Sequence, residues 1–247
     1  MGRIAIIPAR GGSKRIPNKN IIDFCGRPMI AWTIEAALQS GLFDQVLVST
    51  DSEDIAEIAM KWGASVPFLR EEHCDDFVPI SDATISALKQ AERYWSCEYE
   101  LIVQLMANCP LRNQEHIFDA VSSFEKTGTK YQISCFRFGW MNPWWATKLD
   151  ENSLPQPLFP EAIAKRSQDL DPLFCPTGAI WVADRSSLLQ AMTFYGPKHR
   201  FHPMDWEGAI DIDDYEDLKM AGLLVAMREQ LREYKCVSHS AQMPLYK

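Results

Sequence analysis

Two short stretches carry residues whose types and spacing could do chemistry: IIPARGGSKRIPNKN over Ile6–Asn20, and DIDD over Asp211–Asp214. The first 22 residues hold five cations (Arg3, Arg10, Lys14, Arg15, Lys19) and no carboxylate, where 25 Lys and Arg in 247 residues would place about two. Gly11 and Gly12 permit backbone conformations that aim successive N–H groups at one point, and they put no side chain in the way of a close anion. Arg10 can grip phosphate oxygens with a planar fork, while Lys14 and Lys19, which follow it in the loop after Ser13, act as point charges. Pro17 stiffens the loop, and Asn20 can cap or contact a ligand. Two common phosphate patterns fail. The dinucleotide fingerprint G-x-G-x-x-G is absent, and a P-loop needs Gly-Lys-Ser/Thr where this chain reads Gly-Ser-Lys. A phosphate cradle and a solvated basic loop remain; the strand-like run before the loop and its lack of acids favour the cradle.

The acidic stretch suits a hard cation. In extended backbone Asp211 and Asp213 point to one face, with Ile212 turned to the core. Two carboxylates that close repel one another unless a cation sits between them. Mg²⁺, with Mn²⁺ as a substitute, takes one or two carboxylates plus phosphate oxygens and water. Asp211 and Asp213 are expected as ligands and Asp214 as the cap of the last helix. The competing reading is a plain capping turn.

The elements that must position these groups follow from periodicity. RIAII, QVLVST, ELIVQLM, QISCFRF and GAIWVA are compact apolar runs of the buried parallel-strand type. Between them PMIAWTIEAALQSG, SEDIAEIAMKWG, SDATISALKQAERYWS and NQEHIFDAVSSFEKTG space apolar residues three and four apart, with Pro, Ser, Asp or Asn at their starts. That alternation predicts an α/β fold, a three-layer α/β/α sandwich around a mostly parallel, Rossmann-like sheet, with ligands at the carboxyl ends of the strands. Phe138–Pro172 breaks the rhythm, with five Pro and three of the eight Trp, and is read as an excursion packed on a partner subunit or over a site. YEDLKMAGLLVAMREQLREY predicts a final helix. The chain is read as one domain over 1–234, with 138–172 inserted and 235–247 a loose tail.

Net charge −8 argues against nucleic-acid binding, so the basic loop suits a small anion. Seven cysteines without zinc spacing read as reduced thiols in a cytoplasmic protein, with Cys25, Cys109, Cys135 and Cys175 in the core or lining a site. No run approaches a membrane span.

PARGGSKRIPNKNI resembles the nucleotide-binding signature of the cytidylyltransferases that activate nine-carbon keto-sugar acids such as sialic, legionaminic and pseudaminic acids. VLVSTDSEDIAEIAMKWGA, CPLR (Cys109–Arg112), KRSQDL, PTGAIWV and AIDIDDYEDL resemble that family's later motifs, in the same order, over most of residues 3–225. The resemblance implies that CTP and a keto-sugar acid give a CMP-sugar and pyrophosphate, with Mg²⁺, in a homodimer. Such a transfer asks the protein to neutralise a triphosphate and to hold an alcohol in line with the α-phosphorus. Arg10, Gly11, Gly12, Ser13, Lys14, Lys19, Asn20 and Asn108 are then expected on the triphosphate side, with Arg10, Lys14, Asp211 and Asp213 in the chemistry. Either carboxylate, or hydroxide on the metal, could take the alcohol's proton. Arg70 is expected near the base, or in a surface salt bridge to Glu71 or Glu72. Ser81 and Asp82 are expected to cap a helix, or to touch the ribose or base. Arg166 and Gln168 match the acceptor loop, and Gln104, Trp145 and Thr177 lie toward the acceptor pocket; for Trp145, core or interface packing is the other reading.

Three departures fall on the acceptor side. Met106 stands where sialic-acid members carry glutamine, Cys175 and Thr177 where they carry arginine and asparagine, and Trp145 near a frequent lysine. They suggest a less polar acceptor, a deoxy diacylamino acid of the legionaminic or pseudaminic type. The alternatives are an enzyme for Kdo or another sugar nucleotidyltransferase, a glycosyltransferase, and a non-catalytic nucleotide-binding protein.

Overall fold

A computed structural model of the chain describes residues 2–70 and 79–233. The chain runs β1 (Arg3–Pro8), β2 (Asp23–Phe24), β3 (Arg27–Pro28), α1 (Met29–Gln39), β4 (Gln45–Ser49), α2 (Glu53–Lys61), α3 (Ile80–Trp95), β5 (Leu101–Gln104), α4 (Gln114–Thr127), β6 (Tyr131–Arg137), β7 (Thr147–Leu149), β8 (Pro155–Pro157), β9 (Phe174–Asp184), α5 (Arg185–Ala191), β10 (Arg200–Met204) and α6 (Tyr215–Glu233). Six strands form the main sheet in the order β10-β6-β9-β5-β1-β4. β4, β1 and β5 are mutually parallel, as are β6 and β10.

Alternation along β1 builds the layers. Ala5 and Ile7 join residues of α1, α2 and α4 on one face; Ile4 and Ile6 join Ile85 and Leu88 of α3 and Leu188 of α5 on the other. A third cluster holds Ile16, Ile212 and Val225, so α6 packs beside the basic loop and not over the sheet. Gly41, Gly63 and Gly128 follow three of the helices with φ of 65°, 94° and 62°, the left-handed turn that stops a helix at low cost.

Two strand expectations are corrected. β9 is not parallel: it runs antiparallel between β5 and β6, because the chain leaves β6 at Arg137 and returns as its direct partner at Phe174. A return at the same end of the sheet has no crossover helix and must reverse direction. β10 had no expected strand, since RFHPM carries Pro203; it is an edge strand, where a missing N–H is tolerated. The 138–172 excursion is a projecting arm with the β7–β8 hairpin and short 3₁₀ turns. Residues 235–247, expected as a loose tail, lie outside the described residues.

Two smaller expectations also change. α3 starts at Ile80 after Pro79 with no side-chain cap, so Ser81 and Asp82 lie in its first turn and do not cap it. Cys25 is exposed in the β2–β3 turn, whereas Cys109 and Cys135 are buried as expected. Among the described residues, no helix is long and apolar enough to cross a membrane.

Candidate active site

The basic loop leaves the carboxyl end of β1 and is pinned at two points. Asp51, just past β4, accepts the Gly11 N–H at 2.8 Å. The Asn20 amide donates to the Arg10 carbonyl at 2.9 Å. Asn20 thus shapes the loop from within, instead of capping it. Neither Gly11 nor Gly12 has positive φ, contrary to the conformational argument for them. Gly11 is favoured by close approach, since a Cβ there would lie 3.2 Å from Ser52 Cβ and would crowd it.

Arg10, Ser13, Arg15, Lys19, Asn20 and Arg70 line a cleft completed by Ile80 and Ala83 of α3, by Met106–Asn108, and by Asp211 and Asp213. The acidic segment is docked there by Asn108, whose carbonyl accepts Ile212 N–H at 2.8 Å and whose Nδ2 donates to the Ile212 carbonyl at 3.0 Å. With Ile212 fully buried, Asp211 and Asp213 are both turned to the cleft. Asp214 Oδ1 accepts the Glu216 and Asp217 N–H groups at 2.9 and 3.0 Å, which makes it the cap of α6.

The two carboxylates differ in their surroundings. Asp213 holds Lys19 Nζ at 2.8 Å on Oδ1 and Arg15 Nη2 at 2.8 Å on Oδ2. Partial burial opposes its charge, but Lys19 and then Arg15 outweigh it and keep the carboxyl below the usual range. Asp211 is pushed up, first by the surrounding protein and then by the charge of Asp213. A cation between the two would relieve that repulsion. Among the described residues no three His, Cys, Asp or Glu gather as a metal cage. The donor set therefore fits Mg²⁺ shared with substrate oxygens, not an all-protein site.

A latch behind the cleft holds the approach to Asp211. Asn113 N–H donates to His116 Nδ1 at 3.2 Å, which leaves Nε2 to donate to Asp205 Oδ2 at 2.6 Å. Asp205 Oδ1 accepts Gly208 N–H at 2.7 Å, and any Cβ on Gly208 would collide with the imidazole. Thr177 Oγ1 donates to the Ala209 carbonyl at 2.9 Å. The His116 hydrogen bond leads the effects that lower the Asp205 carboxyl to about 2. A carboxyl depressed in the folded state stabilises above its unfolded pKa, near 4, and that contribution is lost as pH falls from there toward 2. Melting temperatures of the wild type and Asp205→Asn should therefore differ at pH 6 and draw together as pH falls from about 4 toward 2; a gap constant with pH would assign the effect to packing.

Other residues marked by the sequence fall elsewhere. Lys14 is exposed and does not line the cleft, while its neighbour Arg15 does. Gln104 is fully buried, with Oε1 accepting from Thr84 at 2.7 Å. Thr177 is buried on Ala209, and Asp82 lies outside the cleft wall. Trp145 donates to the Ala162 carbonyl at 3.2 Å and so holds the arm together. Arg166, also on the arm, is exposed and bound to Asp169 at 2.7 Å, with Gln168 exposed beside it. Arg70 is buried in the cleft wall; Glu71 and Glu72, its alternative partners, lie outside the described residues. Sequence reasoning passed over Asp51, which a strand-end carboxylate one strand away from a glycine loop could have signalled.

A cytidylyltransferase family model matches residues 4–140. The chain belongs to the cytidylyltransferase family. A pseudaminic acid cytidylyltransferase from Campylobacter jejuni is 33% identical over 230 residues, covering 93% of this chain and 99% of that one. A CMP-N,N'-diacetyllegionaminic acid synthase from Legionella pneumophila is 32% identical over 92% of this chain and 97% of its own. An N-acylneuraminate cytidylyltransferase from Escherichia coli is 34% identical over 88% of this chain and 51% of its own, so this chain spans about half of it. Among solved structures, a CMP:2-keto-3-deoxy-manno-octonic acid synthetase complexed with CTP superposes with a TM-score of 0.68 at 17% identity, over 92% of this chain and all of that one. That likeness establishes a shared Rossmann-like fold.

Proposed function

We propose that this cytidylyltransferase activates a nine-carbon keto-sugar acid: the sugar's anomeric hydroxyl attacks the α-phosphorus of CTP in line, forming the P–O bond of a CMP-sugar while pyrophosphate leaves. The observation that carries it is the convergence of Arg10, Arg15 and Lys19 with Asp211 and Asp213 in one cleft. Arg10, Ser13, Lys19 and Arg15 neutralise the triphosphate, and Asn108 holds the acidic segment against it. Lys14, on the exposed side of the loop, meets the phosphates when the loop closes over them. Arg70 borders the nucleoside. Asp211 and Asp213 would hold Mg²⁺, which when bound supplies positive charge to the phosphate oxygens. The proton of the attacking hydroxyl has a carboxylate acceptor close by in Asp211, whose raised pKa suits a base better than that of Asp213.

The acceptor side is the less polar part of the site. Met106 lines the cleft, and burial and then the Asp211 charge raise the Cys175 thiol, which puts Cys175 on Asp211's flank. A diacylamino deoxy acid of the pseudaminic or legionaminic type suits such walls, in keeping with the relatives that match over nearly their whole length. Arg166 and Gln168 do not line their own chain's cleft. In the homodimer we propose, the arm, with Trp140 84% exposed and Leu149 68% exposed, packs on a second subunit and brings them to its acceptor site. The reaction is assigned to the cytoplasm, where CTP is made.

Pyrophosphate release with CTP and Mg²⁺ across sialic, legionaminic, pseudaminic and Kdo acids tests this reading. Release with a diacylamino nonulosonic acid above all others is the expected result. Preference for sialic acid would overturn the acceptor assignment, and silence with every acid would overturn the activity.

A further inference from the structure

We propose that a second cavity, on the other side of the Cys109–Arg112 turn from the cleft, is a binding site for a small phosphate dianion. It lies between α1, the start of α4 and α6, and its walls include Arg27, Trp32, Glu35, Arg112, Gln114 and Arg228. Three cations and one carboxylate among those six give a net positive wall on a chain of net charge −8.

The decisive residue is Arg112. Its side chain is 1% exposed, so it sits in the wall with almost no access to bulk water. Nη1 donates to the Ala179 carbonyl at 2.8 Å and to the Met106 carbonyl at 3.3 Å. Nε and Nη2 have no partner. Those two N–H groups form the parallel edge of the guanidinium that matches two oxygens of one oxyanion. Leaving them unmet inside the protein is unfavourable, and burial pulls the guanidinium down to about 10, the sign of a charge short of counter-charge.

The surroundings supply the rest of an anion site. α4 is 14 residues long and starts at the cavity. Its Asn113 cap meets the His116 N–H, whereas the Gln114 and Glu115 N–H groups have no intrahelical acceptor and point from the positive end of the helix. Arg27 lies 4.2 Å over the Trp32 ring and pairs with Glu35. Arg228 pairs with Glu207 at 2.7 Å. These two pairs keep the rim rigid and let Glu35 or Glu207 yield to a stronger anion. A doubly charged phosphate is favoured over a carboxylate because helix end and buried fork together present more than one positive charge. For the fork to meet a phosphate in the cavity, the Arg112 guanidinium would have to turn about its Nη1 bonds to Ala179 and Met106.

The full chain carrying Arg10→Ala and Lys19→Ala, which disables the triphosphate cleft, is titrated with inorganic phosphate by calorimetry, with acetate at equal ionic strength alongside. One phosphate should still bind, acetate at least tenfold more weakly. Arg112→Lys, which keeps the charge and loses the fork, and Arg228→Gln should each weaken it about tenfold, with circular dichroism confirming the fold. Should Arg112→Lys fail to fold, Arg228→Gln and Arg27→Gln decide. Loss of all phosphate binding with the cleft variant would overturn the site. So would binding indifferent to these arginines, or a crystal grown in phosphate with only water on the Arg112 fork.

Discussion

Asp211→Ala should fold, bind CTP and turn over at least about a thousandfold more slowly, a loss of roughly 4 kcal/mol of transition-state stabilisation. The magnitude follows from where the carboxylate stands. It opens onto the cleft, and among the described residues no cation bonds it directly, so its removal leaves no buried charge stranded. Its neighbour Ile212, which fixes the segment, is untouched, and both backbone bonds to Asn108 persist. The loss should therefore fall on kcat, with KM for CTP changed less than about threefold, because Arg10, Arg15 and Lys19 still meet the phosphates. Asp211→Asn separates the two roles given to the group. If it serves only as a ligand, excess Mn²⁺ should recover part of the rate; if it also takes the proton, no metal concentration will. Single-turnover pyrophosphate release and a tryptophan-fluorescence titration of CTP read both quantities. An Asp211→Ala enzyme within tenfold of wild-type kcat would remove the acidic pair from the chemistry.

What made this site legible was residue type crowded against expectation. Five cations without an acid, and two acids flanking one isoleucine, are improbable on a surface that needs neither, and the cleft brings both stretches together. The layers were legible because β1, β4 and β5 are buried on both faces and show it as continuous apolar runs. Direction is a different matter. β9 has the composition of its parallel neighbours, and only the path of the arm, leaving and returning at one end of the sheet, reverses it. β10 is half-exposed and carries a proline, so neither periodicity nor propensity marks it. Polar side chains were the least readable. Thr177 and Gln104 look like ligand contacts in sequence, yet each meets a polar partner within the chain that only the tertiary structure identifies, while Asn20 both lines the cleft and holds the Arg10 carbonyl. Lys14 and Arg15 are adjacent cations, and which of them faces the cleft is set by the turn of the loop.

Asp213→Asn should have two effects of opposite sign. In the structure both oxygens of Asp213 are occupied by cations of the phosphate loop, Lys19 and Arg15, each at 2.8 Å. Those cations also hold the carboxyl below the usual range, so it remains charged at every working pH. In the site proposed above, Asp213 would compete with CTP for Lys19 and Arg15, and a divalent cation would end the competition by giving the carboxylate another partner. Removing the charge should tighten binding of CTP in EDTA by about three- to tenfold, a modest gain because Arg15 is 63% exposed and its pair is screened by water. The same change should lower Mg²⁺-supported turnover about a hundredfold, since one of two hard ligands is lost. Lys19→Met supplies the control: it frees Asp213 from its better-buried partner but removes a phosphate cation, so it should weaken CTP with and without Mg²⁺. Metal-free affinity that falls in Asp213→Asn would mean the carboxylate mainly braces the loop, and would sink the idea that it holds the cations in place of substrate. A rise in that affinity with an unchanged rate would assign the metal to Asp211 alone.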